Sequence, residues 1–175
     1  IPSPRSSELP SRTEKLFFLL SGEHPNLPAA ELLAVLEAES HSYDLTQRLR
    51  SILRLKADAS CIERISARCS LTRAICTELL STRLEDETII KTVRDLDFSE
   101  ILKPGDTFQV RITRKRIKKG VLDTLRLERE IGEAILSRTS GARVDLRRPH
   151  MTFLGVATRG RFFLGIQRAE MAAKP

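Results

Sequence analysis

Short apolar runs of strand length alternate with apolar stripes of helical period along this chain, and that alternation confines it to a mixed α+β fold. Residues 16–21 read LFFLLS, too short a run for a stable helix and suited to a strand buried on both faces. Gly22 ends it. Asn26, Leu27 and Pro28 then open a helix, with proline in the first turn where its missing N–H costs nothing. Ala29, Leu32, Leu33 and Leu36 recur at i, i+3, i+4 and i+7 as the buried stripe. Residues 42–46 and 51–56 are the next two strands. Ser60 and Glu63 have capping-box spacing and predict a helix with Ile62, Ile65 and Cys69 on its apolar face. A further strand lies within residues 71–80.

The resulting order is β-α-β-β-α-β, the split arrangement of ferredoxin-like units. A second unit follows. Residues 84–96 read as a helix with acidic residues in its first turn, where the helix dipole favours them. Residues 98–102 read as a second, short helix, and Pro104-Gly105-Asp106 as a turn. In the strand after it, Phe108, Val110 and Ile112 alternate with Gln109, Arg111 and Thr113. Asp123 is placed to cap a helix whose stripe is Leu127, Ile131, Ala134 and Ile135, and Ser140-Gly141 stops it. Residues 143–146 are short and extended. Strands at 151–157 and 161–167 are joined by Thr158-Arg159-Gly160 as a hairpin. The second unit is therefore α-α-β-α-β-β.

Composition sets the remaining bounds. The first fourteen residues hold three prolines and four serines without periodicity, and read as a disordered leader. The expected division is a leader at 1–14, a ferredoxin-like domain at 15–82, a second domain at 83–170 and the start of a linker at 171–175. No apolar run reaches eighteen residues, which excludes a membrane-spanning helix. Cys61, Cys69 and Cys76 lack metal-ligand spacing and suit inert core thiols in a reducing cytoplasm. His24, His41 and His150 are scattered. Phosphate-binding glycine loops, a nucleophile elbow and a zinc-protease motif are all missing from the sequence, as is an Asp-Pro-Pro-Tyr-like segment for holding a base amino group. His24 reads as a loop-structuring residue. Phe153, Phe162 and Phe163 read as core rather than as base-stacking platforms.

Charge is distributed unevenly. Residues 1–100 carry 13 Lys+Arg against 16 Asp+Glu, a balance of −3, whereas residues 101–175 carry 17 against 7, a balance of +10. Such a bias points to a polyanion partner for the C-terminal part. One cluster is Arg111, Arg114, Lys115, Arg116, Lys118 and Lys119. Another is Arg143, Arg147 and Arg148, with His150 beside them. Arg159 and Arg161 sit at the hairpin. Arginine forks and lysines at strand ends and in loops suit phosphate oxygens, so RNA or DNA contact is expected with a strong salt dependence. These cations are expected to form one contiguous anion-gripping face. The N-terminal unit is expected to act as a spacer and brace.

Several segments resemble a THUMP domain. They are Asp97-Phe98-Ser99, Phe108-Gln109-Val110-Arg111, Leu127-Glu128-Arg129-Glu130-Ile131-Gly132, Val144-Asp145-Leu146-Arg147-Arg148-Pro149 and Phe162-Phe163-Leu164-Gly165-Ile166. Upstream, the stretch from Phe17 to Pro25, followed by Leu27-Pro28-Ala29-Ala30-Glu31-Leu32, is similar to the opening of archaeal tRNA guanine-10 N2-methyltransferases. The resemblance implies a tRNA-binding module for the acceptor stem and its 3′ end. It further implies that S-adenosylmethionine belongs to a methyltransferase domain absent from this chain, and it admits a small helper subunit as partner. The chain then reads as the N-terminal part of such an enzyme, binding but not methylating. The alternative is a stand-alone THUMP adaptor that presents tRNA to a separate acetyltransferase. A small complete enzyme using His24 or His150 is a third reading, disfavoured by the missing motifs. Asp145 is expected to serve the backbone rather than the RNA.

Overall fold

The structure is a computed structural model and describes residues 12–172. Residues 1–11 of the expected leader and 173–175 of the expected linker lie outside the described residues. Thr13 already belongs to the first strand. The elements run β1 (Thr13–Leu20), α1 (Leu27–Ala38), β2 (Tyr43–Arg48), β3 (Ile52–Asp58), α2 (Cys61–Arg68), β4 (Thr72–Arg83), α3 (Asp86–Asp95), β5 (Thr107–Arg114), α4 (Thr124–Ser137), β6 (Arg143–Val144), β7 (Met151–Thr158) and β8 (Arg161–Glu170). The mixed α+β fold and the β-α-β-β-α-β opening are as the sequence pattern predicts.

All eight strands form one sheet in the order β2-β3-β1-β4-β8-β7-β5-β6. The seam between its halves is the antiparallel pair β4–β8, whose register runs from Ala74 opposite Glu170 to Arg83 opposite Arg161. The expected division at 82/83 falls between the last two residues of β4, and both Thr82 and Arg83 pair with β8. Leu16, Phe18, Leu20, Leu53, Leu55 and Ile75 turn toward α1 and α2. Leu80, Phe108, Val110, Phe153, Phe162 and Leu164 turn toward α3 and α4. Phe153 is held edge-on by Phe98 and Phe108, at ring-centroid distances of 5.9 and 5.6 Å. The alternate residues Phe17, Leu19, Ile52, Cys76, Leu154, Val156 and Phe163 form a third buried cluster on the other, helix-free face.

That third cluster closes the seam. The Phe17 ring crosses β4 and lies over Gly165 of β8, where an added Cβ would come within 2.7 Å of the ring and 2.6 Å of the Thr77 carbonyl. Arg54 pairs in bidentate fashion with Glu78, at 2.6 and 2.9 Å, and its guanidinium lies 5.3 Å from the Phe163 ring centroid. Burial pushes the Cys61 and Cys69 thiols up to about 11 and raises Cys76 further still, which fits inert core residues.

Two local expectations are corrected. Ser60 does not cap α2 through its side chain. Its own N–H donates to Asp58 Oδ1 at 2.8 Å, and its backbone is already helical, so the capping-box geometry is lost. The predicted helix at 98–102 is a single turn: Ile101 and Leu102 both donate to the Phe98 carbonyl, and the chain then leaves. Phe98 and Leu102 are buried, and their i, i+4 spacing imitates a helix face. Asp123 caps α4 as expected, accepting from the Arg126 N–H at 3.1 Å. His24 structures its loop by accepting the Asn26 and Leu27 N–H groups at Nδ1, at 3.3 and 3.1 Å.

Candidate nucleic-acid interface

Parallel pairing decides where the cations go. β5 runs parallel to β7 and β6, so the ends of β5 and β7 come together at one end of the sheet and their starts at the other. Arg114 lies opposite Ala157 at the finish of these strands, and the Lys115 N–H donates to the Ala157 carbonyl at 2.8 Å. The following loop holds Arg116, Lys118 and Lys119, all exposed. Arg116 takes a left-handed φ of 62°, and Arg159 of the β7–β8 turn donates through Nε to its carbonyl at 3.3 Å. One hydrogen bond thus ties the hairpin tip to the basic loop. Between them lies an open depression of about 580 Å³, lined by Leu84, Arg116, Ile117, Lys118, Val121 and Arg159 among others.

The second cluster is built at the opposite end. Arg143 pairs with Thr107 at the start of β5. Asp145 follows, and its Oδ1 accepts the N–H groups of Arg147 and Arg148 at 2.8 and 3.1 Å. This loop presents both arginines to solvent. The two backbone N–H groups, with the positive field of Arg143 and His150, hold the Asp145 carboxyl below the usual carboxylate range. Asp145 therefore organises the backbone, as expected. Asp145→Ala should weaken RNA binding about threefold to tenfold by loosening this loop while leaving the melting temperature nearly unchanged, since the group is at the surface. Asp145→Asn keeps an acceptor and should largely restore affinity. Titrations of the two variants beside thermal melts decide this.

The expected single face is replaced by two groups. Strand rise places the start and finish of β5 about 23 Å apart, and the clusters sit at these two ends. Arg111 stands between them, exposed on the helix-free face, with its Nε bonded to Gln109 Oε1 at 3.0 Å. Arg161 differs from the rest. It is half-buried, donates to Ser81 Oγ at 2.6 Å, and lies 5.9 Å from the Phe163 ring centroid. Two further groups escaped the sequence reading. Arg83, at the end of β4, faces Arg161 and is exposed at the same end as Arg114. Lys15 and Lys56 are exposed and directly opposite each other across β1 and β3, a like-charge pairing that costs stability. All three lie in the acidic half, where net charge masks them.

Partnering separates these cations from the others. Among the described residues, ion pairs engage Arg54, Arg64, Arg68, Lys103, Arg126 and Arg168. Among the described residues, none of the eleven predicted contact residues, from Arg111 to Arg161, has an ion-pair partner within 4.0 Å. Exposed, unneutralised guanidinium and ammonium groups at strand ends can take up phosphate without first breaking an ion pair. The described residues contain no group of three or more His, Cys, Asp or Glu able to hold a metal ion, and no helix long and apolar enough to cross a membrane.

The β1–α1 and β5–α4 connections carry one glycine each, Gly22 and Gly120, and the β3–α2 and β4–α3 connections carry none. A glycine-rich strand-to-helix turn of the kind that lets a nucleotide approach the backbone is missing from the described residues.

Residues 85–167 match the family described as THUMP domain. The chain is 30% identical over 150 residues to the tRNA (guanine(10)-N2)-dimethyltransferase of Methanothermobacter thermautotrophicus, covering 86% of this chain and 42% of that protein. It is 41% identical over 70 residues to the "Probable tRNA sulfurtransferase" of Bacillus subtilis, covering 39% of this chain and 16% of that protein. The chain thus spans less than half the length of either relative. Its fold is similar to that of a 4-thiouridine synthetase crystallised with RNA and ATP, with a TM-score of 0.58 and 13% identity over 90% of this chain and 42% of that one.

Proposed function

Because residues 85–167 form a THUMP domain, we propose that this chain is the tRNA-binding module of a cytoplasmic tRNA-modifying enzyme. The observation that carries this reading is the set of unpaired, exposed cations at the two ends of β5. Likeness to a guanine-10 dimethyltransferase along 86% of the chain favours a guanine-N2 methyltransferase over a sulfurtransferase, whose likeness reaches 39%. It also favours that reading over a stand-alone adaptor for an acetyltransferase. In this view the module grips the acceptor stem and 3′ end by phosphate and shape. The target base is then selected by its distance from the grip, while a separate domain supplies the methyl donor, S-adenosylmethionine.

The test is tRNA binding by the chain alone across a salt series. The expected result is retention of tRNA with log affinity falling linearly against log salt, at a slope of about −0.7 to −0.9 per neutralised phosphate. The same preparation should transfer no labelled methyl from S-adenosylmethionine to tRNA. Binding that ignores salt, or methyl incorporation by this chain alone, would overturn the reading.

A further inference from the structure

The separation of the clusters carries a consequence for the RNA itself. The first pole comprises Arg114, Lys115, Arg116, Lys118, Lys119 and Arg159, and the second comprises Arg143, Arg147 and Arg148. They are fixed to opposite ends of one strand, so side-chain motion cannot merge them. Arg111 is the cation that stands on β5 between its ends. Within each pole the positions are set by backbone. Arg159 is tied to the Arg116 carbonyl, and Arg147 and Arg148 are tied through their N–H groups to Asp145.

We infer that the interface is bipartite: the two poles hold two separate phosphate runs of one folded RNA, about 23 Å apart along β5. The inference rests on the reading of the chain as an RNA-binding module and specifies the ligand class, a base-paired stem long enough to underlie both poles. At roughly 2.8 Å of helix axis per base pair in an A-form stem, that length is on the order of eight pairs. A shorter stem engages one pole at a time and loses the gain that comes from linking two contacts on one rigid ligand.

The experiment uses hairpin RNAs with stems of about three and about ten pairs, bound to three proteins. These are the wild-type chain, a first-pole variant (K115A, R116N, K118A, K119A) and a second-pole variant (R143A, R147A, R148A). Asparagine is chosen at position 116 because it tolerates the left-handed backbone there. Circular dichroism melts confirm folding, and lysine-to-glutamine and arginine-to-glutamine versions of the exposed sites serve as replacements if either variant melts early.

On the long stem each variant should bind at least tenfold more weakly than wild type, and each should show a shallower salt dependence. On the short stem the wild-type protein should lose most of its advantage, and neither variant should fall more than a few-fold below it. A loss of tenfold or more by both variants on the short stem would mean one site and would overturn the inference. So would a variant that matches wild type on the long stem while the other does not. If neither variant changes binding to any RNA, it is the underlying RNA-binding reading that fails.

Discussion

Replacing Arg116, Lys118, Arg147 and Arg148 together by alanine is expected to lower tRNA affinity by about 10²- to 10³-fold at low salt and to flatten the salt dependence by about three to four phosphate contacts. Two of these cations come from each end of β5. All four are exposed and have no ion-pair partner within 4.0 Å among the described residues, so their removal leaves no buried charge and no orphaned carboxylate there. The melting temperature should move by no more than one or two degrees. Gel shifts at several salt concentrations, run beside thermal melts, decide the matter. Unchanged binding by the quadruple variant would remove these residues from the interface. Arg161→Ala offers a contrast. It strips the packing partner of Ser81 and Phe163, so it should affect stability more than salt dependence.

Gly165→Ala is expected to destabilise the fold by about 3 kcal/mol, or roughly 10 °C in melting temperature for a chain of this size. The added methyl would meet three neighbours at 2.6 to 2.8 Å, two of them parts of β4 and one the Phe17 ring. The Thr77 carbonyl cannot retreat without disturbing the β4–β8 ladder, so the strain cannot be relieved by a rotamer change. Gly132→Ala is the matched control. Position 132 lies inside α4 with nothing within 4 Å of the added Cβ, so the same methyl should stabilise by about 0.5 to 1 kcal/mol through helix propensity. Opposite shifts from one chemical change would establish that close packing at the seam sets the sign. A neutral Gly165→Ala would show that the Phe17–Gly165 contact has room to yield.

Elements with a local period were legible in the sequence. The alternation of Phe108, Val110 and Ile112 marks β5, and Leu127, Ile131, Ala134 and Ile135 mark α4, because each pattern is complete within one segment. The β4–β8 pairing was hidden. Its partners are about 80 to 100 residues apart, and both strands are apolar enough to be read as ending their own units. Ser60 misled because Asp58, two residues earlier, competes successfully for the same N–H. The basic clusters were legible as loops and strand ends. Their division into two poles was not, because it follows from the parallel course of β5 and β7, and single-chain charge runs carry no direction. The ion-pairing that sets Arg54 and Arg168 apart from Arg116 and Arg148 also depends on partners far away in sequence.

β8 serves both halves of the molecule. Phe162 and Leu164 near its start pack under α3 and α4, while Ala169 at its finish and Met171 just beyond it pack with the cluster under α1 and α2. A swivel requires a stretch of chain free to twist, and from β2 to β6 every neighbouring strand is laced to the next. Under the proposed reading, a pull applied by RNA at either end of β5 would meet one continuous hydrogen-bonded sheet, much as a lever passes torque along its arm, rather than a joint between two beads.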